Sequence, residues 1–245
     1  MHAARTSTAA WLDSPLGLRV LGTETALAAL ALDDVFGFEL LQVGIWGTDR
    51  PLSAAARTQH TTVVAARREP GATLCAALEA LPFADDSVDA VLLPHTLELV
   101  EDPYAVLREA ERVLRAGGCL LICGFNPLSG WGLRRLVGRP LHGPPFPAGM
   151  RRLLSERRLR DWVALLGLDV DRVCGYLGTL PLAGGVRPAA EAVSIRRPAL
   201  GAGAYWLQAR KRVPTMTPLK PRRRARPRVL VTAPEATSQT THARR

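Results

Sequence analysis

Aromatic residues are scarce, at 5% of the chain. The expectation is therefore a core of Leu, Val and Ala and not of rings. Hydrophobic residues still make up 47% of the 245 residues, enough for one domain of ordinary size with extensions. Cysteine is equally sparse. Cys75, Cys119, Cys123 and Cys174 form no C-x-x-C pair, which argues against the usual zinc frameworks and a disulfide scaffold. Cys119 and Cys123 fall on one face of any strand that contains both. Buried free thiols are the expectation, in keeping with a reducing cytoplasm. Long apolar runs are missing too. No stretch approaches the ~18 residues of a membrane-spanning helix, and residues 1–11 lack the apolar core of a signal peptide. The expectation is a soluble, cytoplasmic protein with no membrane span.

Acidic residues are missing from one region only. The formal net charge is +10, and residues 210–245 hold eleven basic residues against the single acid Glu235. Residues 1–209 therefore balance to zero. Any attraction to nucleic acid or to an anionic surface belongs to this C-terminal stretch and not to the folded part. It carries Arg210-Lys211-Arg212, Lys220 and Arg222-Arg223-Arg224-Ala225-Arg226. It has no interleaved aromatic residue after Trp206, so base stacking is not indicated. From about Pro214 the chain is rich in Pro, Arg, Thr and Ser without periodicity, and is expected to be disordered.

What is present is an alternation of strand and helix signals. Residues 1–20 read as irregular, and 23–32 as a helix with Thr23 as N-cap. Residues 38–43 read as a buried strand, 61–66 as a second, 73–78 as a short third and 88–93 as a fourth. Residues 48–60 carry no firm signal. Asp102 followed by Pro103 marks a helix start, and Val106, Leu107, Ala110, Val113 and Leu114 recur at helical spacing. Gly117-Gly118 is expected to end that helix, with a strand at 119–123. Ser155 opens a further helix, whose apolar face is Leu159, Trp162, Val163 and Leu166 and which stops at Gly167. Strands are expected at 168–174 and 204–209, and the Gly/Pro-rich stretches 138–149 and 181–203 as loops. Such an order gives βαβ units and a mostly parallel sheet with helices on both faces. Ligands of such sheets lie at the C-terminal ends of the strands.

Two features could carry chemistry there. Gly44-Ile45-Trp46-Gly47 follows the first strand, where glycine lets the backbone approach a ligand; a plain tight turn reads equally well. The segment 124–135 follows the fifth strand. Its Asn126, Ser129 and Trp131 either line a pocket or form a capped helix start with Trp131 on the core, and Arg134, Arg135 and Arg139 suit a solvated helix face. A nicotinamide site would need G-x-G-x-x-G with an acid about 20 residues later, and neither is present.

The span Leu81-Pro82-Phe83-Ala84-Asp85-Asp86-Ser87-Val88-Asp89-Ala90-Val91 resembles the "LPF…DxSFDxV" stretch of class I S-adenosylmethionine-dependent methyltransferases of type 11. His95-Thr96-Leu97-Glu98-Leu99-Val100-Glu101-Asp102-Pro103 resembles their "hxLeHvxDP" segment. Leu107 to Gly118 is similar to their "lLxExxRVLkPGG". These matches run without a gap over about residues 78–123, with weaker ones across roughly 36–212. The resemblance implies a Rossmann-like α/β/α fold with a mostly parallel seven-stranded sheet and an antiparallel last strand. It also implies S-adenosylmethionine as cofactor, lying across the tips of strands one to four against Gln42, Gly44, Gly47, Leu78 and His95. The implied domains are an irregular segment at 1–21, the methyltransferase-like domain at 22–213, and a disordered Arg-rich tail at 214–245.

The chain departs from the family pattern at three anchors. The acid that closes the first strand, next to the cofactor's charged amino-acid end, is Gln42 here, which can hydrogen-bond but carries no charge. The acid of the second strand is replaced by Ala65, Ala66 and Arg67, and the Asp near strand three by Ala77, with Glu79 two residues on. Each lost hydrogen bond to a charged group removes about 1.5–3 kcal/mol. The resemblance therefore supports two readings: a methyltransferase acting on a small molecule or an RNA, and a catalytically silent relative that binds or scaffolds. His95, at the end of strand four, is conceivable as a general base, although methyl transfer needs only an aligned nucleophile.

Overall fold

Strands with apolar side chains on both faces must be covered on both sides, and the central strands of this chain are of that kind. The computed structural model describes residues 8–47, 51–137, 146–147, 149–178 and 201–213. Its strands are β1 (Glu39–Val43), β2 (His60–Ala65), β3 (Leu74–Cys75), β4 (Val88–Pro94), β5 (Leu114–Phe125), β6 (Leu168–Tyr176) and β7 (Ala204–Lys211). They form one seven-stranded sheet in the order β3-β2-β1-β4-β5-β7-β6. β1 runs parallel to β2 and β4, with Gln42 opposite Val63 and Leu92. β4 runs parallel to β5. β7 is antiparallel to both neighbours, so that Trp206 stands opposite Cys123 and Cys174. The strand order reverses between β1 and β4, the switch point at which sheets of this kind open a crevice.

Alternation along each strand sends side chains to two separate cores. Leu40, Leu92, Leu121, Cys123 and Trp206 face one side and pack with Val20, Leu27, Ala28 and Leu32. Those four come from helix α1 (Pro15–Leu32). Leu41, Val91, Leu93, Ile122 and Leu207 face the other side, together with Val106, Leu107, Ala110, Leu159 and Val163. After a single helical turn, α2 (Thr96–Leu99), the latter residues come from α3 (Pro103–Val113) and α5 (Glu156–Leu165), while α4 (Gly130–Val137) precedes α5. Each fully buried Val or Leu contributes roughly 1.5–3 kcal/mol. Cys119 and Cys123 share one face, as period-two geometry requires, and all four cysteines are free thiols.

The N-terminal region differs from the sequence expectation. The chain is helical at 8–12 and again from Pro15, so the helix expected at 23–32 begins eight residues earlier. Ser14 is its N-cap, accepting from the Gly17 N–H at 3.1 Å, and Pro15 takes the first helical position. Thr23 is not a cap: its hydroxyl bonds back to the Arg19 carbonyl at 2.9 Å. Gly17 and Gly22 hide the helical pattern in the sequence. Gly17 is required by packing, since a Cβ there would stand 2.1 Å from the Trp11 carbonyl oxygen. Among the described residues, α1 is also the one helix long and apolar enough to cross a membrane, contrary to the expectation of no such run. Its inner face is taken up by the sheet.

Three other boundaries moved. α3 ends at Val113, and β5 starts directly at Leu114. Gly117 and Gly118 therefore lie within the strand, inside the register shift that separates Leu114 opposite Val88 from Cys119 opposite Ala90, and not at a helix C-terminus. Among the described residues the crossover from β1 to β2 holds one short 3-10 helix, Leu52–Ala55. Arg210 and Lys211 belong to β7, and both they and Arg212 are ion-paired to acids of the domain: Asp171, Asp86 with Glu111, and Asp169 respectively. They are therefore not part of a basic tail. The expectations for 138–145, 181–200 and 214–245 lie outside the described residues.

Asp102 caps α3 as its position predicts, accepting from the Tyr104 and Ala105 N–H groups, both at 3.1 Å. Ser155 caps α5 in the same way. Replacing Ser14 by Ala should lower the unfolding free energy by about 1 kcal/mol, read as a shifted urea midpoint with an unchanged slope. An unshifted midpoint would remove Ser14 as the start of α1.

Candidate functional site

The tip of β1 is organised by its own side chains. Gln42 is wholly buried, its Nε2 donating to the Gly44 carbonyl at 3.2 Å and its Oε1 accepting from the Ser53 N–H at 3.0 Å. The amide thus ties the loop after β1 to the short 3-10 helix, and both of its ends are spent on backbone groups. Gly44 has φ +94 and Gly47 φ +102, a region that favours glycine. At Gly44 the reason is also steric. The Thr96 hydroxyl donates to the Val43 carbonyl, and a Cβ on Gly44 would come within 2.6 Å of that hydroxyl oxygen.

Between these glycines, Trp46 turns inward and is 1% exposed. Its Nε1 donates to Glu24 Oε2 at 2.5 Å. The other oxygen of Glu24 accepts from the Tyr176 hydroxyl at 2.6 Å and meets His95 Nε2 at 2.7 Å. On the far side of the ring, His95 Nδ1 lies 2.6 Å from Glu98 Oε2, and Glu98 Oε1 accepts from the Phe125 N–H at 2.7 Å. Helix α1, the β1 loop, the ends of β4 and β6, and the last residue of β5 therefore meet at one polar centre without contact with water.

His95 is held in every direction. Its φ of +53 is uncommon for a residue with a side chain. The ring is sandwiched between Trp46 and Phe125, with both centroids at 4.2 Å. Since both ring nitrogens face carboxylates, both must carry protons to donate, which makes the ring an imidazolium. Burial alone would push its pKa down. The Glu24 and Glu98 charges and their hydrogen bonds outweigh that and raise it to about 9. Burial raises the Glu98 carboxyl, opposed by His95. Burial also lifts Tyr176 well above its ordinary value, with Glu24 adding to the effect. A doubly donating imidazolium has no lone pair to accept a proton, so His95 is unsuited to the role of general base.

The structure thus brings Gln42 and Gly44 to the tip of β1 and His95 to the adjacent tip of β4, with Gly47 closing the loop after β1. Leu78 sits apart, in the core cluster of the opposite face with Val43, Leu81 and Leu97. Beyond β2 come Ala66 and Arg67, both exposed, as are Ala77 and Glu79, so the second strand ends without an acid. In the segment after β5, the capped-helix alternative is the one observed. Ser129 Oγ accepts from the Gly132 N–H at 3.2 Å, Asn126 holds the Leu128 N–H and the Ala202 carbonyl, and Trp131 stacks on Phe125 at 6.1 Å.

Sequence reasoning missed Glu24 and Tyr176. Glu24 had a signal, since it is the one charge inside the apolar stripe Val20, Leu27, Ala28 and Ala31 of α1. Tyr176, 152 residues away from Glu24, had none.

Residues 20–122 match a family described as Methyltransferase domain. The YafS protein of Escherichia coli K12, uncharacterized, is 42% identical over 136 residues, 56% of this chain and 55% of that protein. The demethylmenaquinone methyltransferase of Mycolicibacterium paratuberculosis is 52% identical over 46 residues, 19% of this chain and 20% of the enzyme. The chain thus spans about half the length of YafS and a fifth of the second relative. Among solved structures, a SAM-dependent methyltransferase of Thermotoga maritima aligns with a TM-score of 0.53 at 20% identity. That alignment covers 78% of this chain and 88% of the other, and it shows a shared fold.

The buried centre predicts a pH dependence. A pKa raised from 6.5 to about 9 stabilises the fold fully below pH 6.5, and that stability is lost as pH rises through 9. The raised Glu98 carboxyl acts in the same direction. Between pH 6.5 and 9.5 the unfolding free energy should fall by about 3 kcal/mol, and His95→Gln should flatten the profile. A wild-type profile already flat over that interval would contradict the imidazolium.

Proposed function

We propose that this chain, whose residues 20–122 match the methyltransferase domain family, transfers a methyl group from S-adenosylmethionine to an acceptor. The observation that carries the proposal is the buried, charged centre at the C-terminal ends of β1 and β4. This is the crevice side of the switch point, and titratable groups removed from water at such a place are a mark of function. The chemistry of the donor set fits a cationic ligand, because two carboxylates, Glu24 and Glu98, face one imidazolium. The nucleoside end would fall toward Ala65, Ala66 and Leu78, where contact rests on apolar surface and backbone.

When bound, the cofactor supplies an electrophilic methyl group on its sulfonium. The remaining work belongs to residues of this chain. Gly44 and Gly47 let the loop backbone come close to a ligand, and Gln42 holds that loop in place. Trp46, Phe125 and Trp131 keep water from the tip of β4. His95 keeps its protons and so serves as a fixed charge, which leaves alignment of the acceptor as the main source of rate. The acceptor, a small molecule or an RNA, would approach beside the segment that follows β5. Four free cysteines suit a cytoplasmic setting.

A second reading is a silent relative that binds or scaffolds on the same fold. The observation in its favour is Gln42, a neutral amide with both ends committed to backbone, together with a β2 tip without an acid. Calorimetry of the full chain with S-adenosylhomocysteine separates the two. The first reading expects micromolar binding and, at a hundredfold excess over the dissociation constant, about 2.7 kcal/mol of added stability. Absence of both heat and thermal stabilisation at millimolar ligand would leave the second.

A further inference from the structure

Glu24 and Glu98 face a single cation, His95, in a place removed from water, where burial works against the ionised form of Glu98. An uncompensated buried charge is costly, and a positively charged ligand group would relieve it. The three donors on Glu24 are not equally replaceable. His95 is fixed by Glu98 and by the rings on its two sides. Tyr176 lies within β6, paired to Ala204 of β7. Of the three, Trp46 alone comes from a loop, with a glycine at positive φ on either side, and among the described residues it alone holds Oε2. The loop backbone at Gly44, Ile45 and Gly47 is partly exposed, so a ligand can reach it.

We infer that Glu24 is the acidic anchor of this site, and that the indole N–H of Trp46 holds its carboxylate until the ammonium of a ligand's amino-acid end takes that place. The inference rests on the methyltransferase reading and deepens it. Gln42, near the end of β1, has no charge, and its amide oxygen already accepts from the Ser53 N–H, whereas Glu24 brings a carboxylate to the loop after that strand from α1. Relative strength decides the exchange. Both bonds end on an ionised carboxylate, but an ammonium adds the attraction of a full opposite charge that a neutral indole N–H lacks, so an ammonium outcompetes the indole for the same oxygen. The displaced ring then leaves the face of His95.

The test uses the full-length chain and two neutral thioether nucleosides. S-adenosylhomocysteine carries the amino-acid ammonium, and 5′-methylthioadenosine lacks that arm. Wild type should bind the first more tightly by about tenfold or more, the scale of one hydrogen bond to a charged group. Trp46→Phe keeps the ring and removes the competing donor, so it should bind S-adenosylhomocysteine several-fold more tightly than wild type does. Glu24→Gln should bind the two ligands alike. The emission of Trp46, taken as wild type minus Trp46→Phe, should change with S-adenosylhomocysteine and not with 5′-methylthioadenosine. Weaker or unchanged binding by Trp46→Phe overturns the inference even if Glu24→Gln fails to fold. Equal binding of the two ligands by wild type also overturns it, while leaving the methyltransferase reading in place. Binding of neither ligand removes both.

Discussion

A carboxylate taken out of water has to find its donors inside the protein, and Glu24 finds three, from segments far apart in sequence: Trp46 after β1, His95 after β4 and Tyr176 at the end of β6. The cost of leaving any of them unmade is what draws these segments together. Removing one partner of a buried charged pair typically costs 3–5 kcal/mol. That constraint fixes where α1 lies on the sheet, and it explains why an apolar helix carries an acid on its inner face. The left-handed backbone of His95 is sustained by the same contacts, since both ring nitrogens and both ring faces are engaged.

The sheet supplies the geometry on which this centre depends. β1 and β4 lie side by side in parallel, with Leu40 to Gln42 opposite Ala90 to Leu92. Their C-terminal ends therefore project together, and the chain leaves each by a turn without crossing the other. Strand alternation puts Gln42 on the same side as Leu40 and Leu92, toward α1. The polar centre consequently grows on the α1 side, while α3 and α5 seal the opposite face with mainly aliphatic side chains. One side of the domain is thus an ordinary apolar core, and the other ends in a charged one.

Much of this fold is legible in the sequence because its signals are local. Asp102-Pro103 announces a helix start whatever the rest of the chain does, and Ser155 does the same for α5. The apolar runs near 39–43 and 88–94 can only be strands covered on both faces. The same local logic misled at two places. Gly117-Gly118 looks like a helix stop, yet the helix has already ended at Val113 and the glycines serve an irregularity in β5. Gly17 and Gly22 look like interruptions, yet Gly17 is small because Trp11 and Leu12 press against it. In both cases a tertiary contact, invisible in the local pattern, decided the meaning of a glycine.

The candidate site divides along the same line. The sequence by itself determined the order of strands and helices, the glycines of the β1 loop, and the replacement of the expected acid by Gln42, because each is a matter of residue type at a position. Only the tertiary structure decided that Glu24 reaches that strand tip from another element, that Tyr176 joins it from across the sheet, and that His95 is a clamped cation instead of a base. The physical reason is that charge and proton position depend on the groups brought within hydrogen-bonding distance. Those groups here are separated by up to 152 residues of chain.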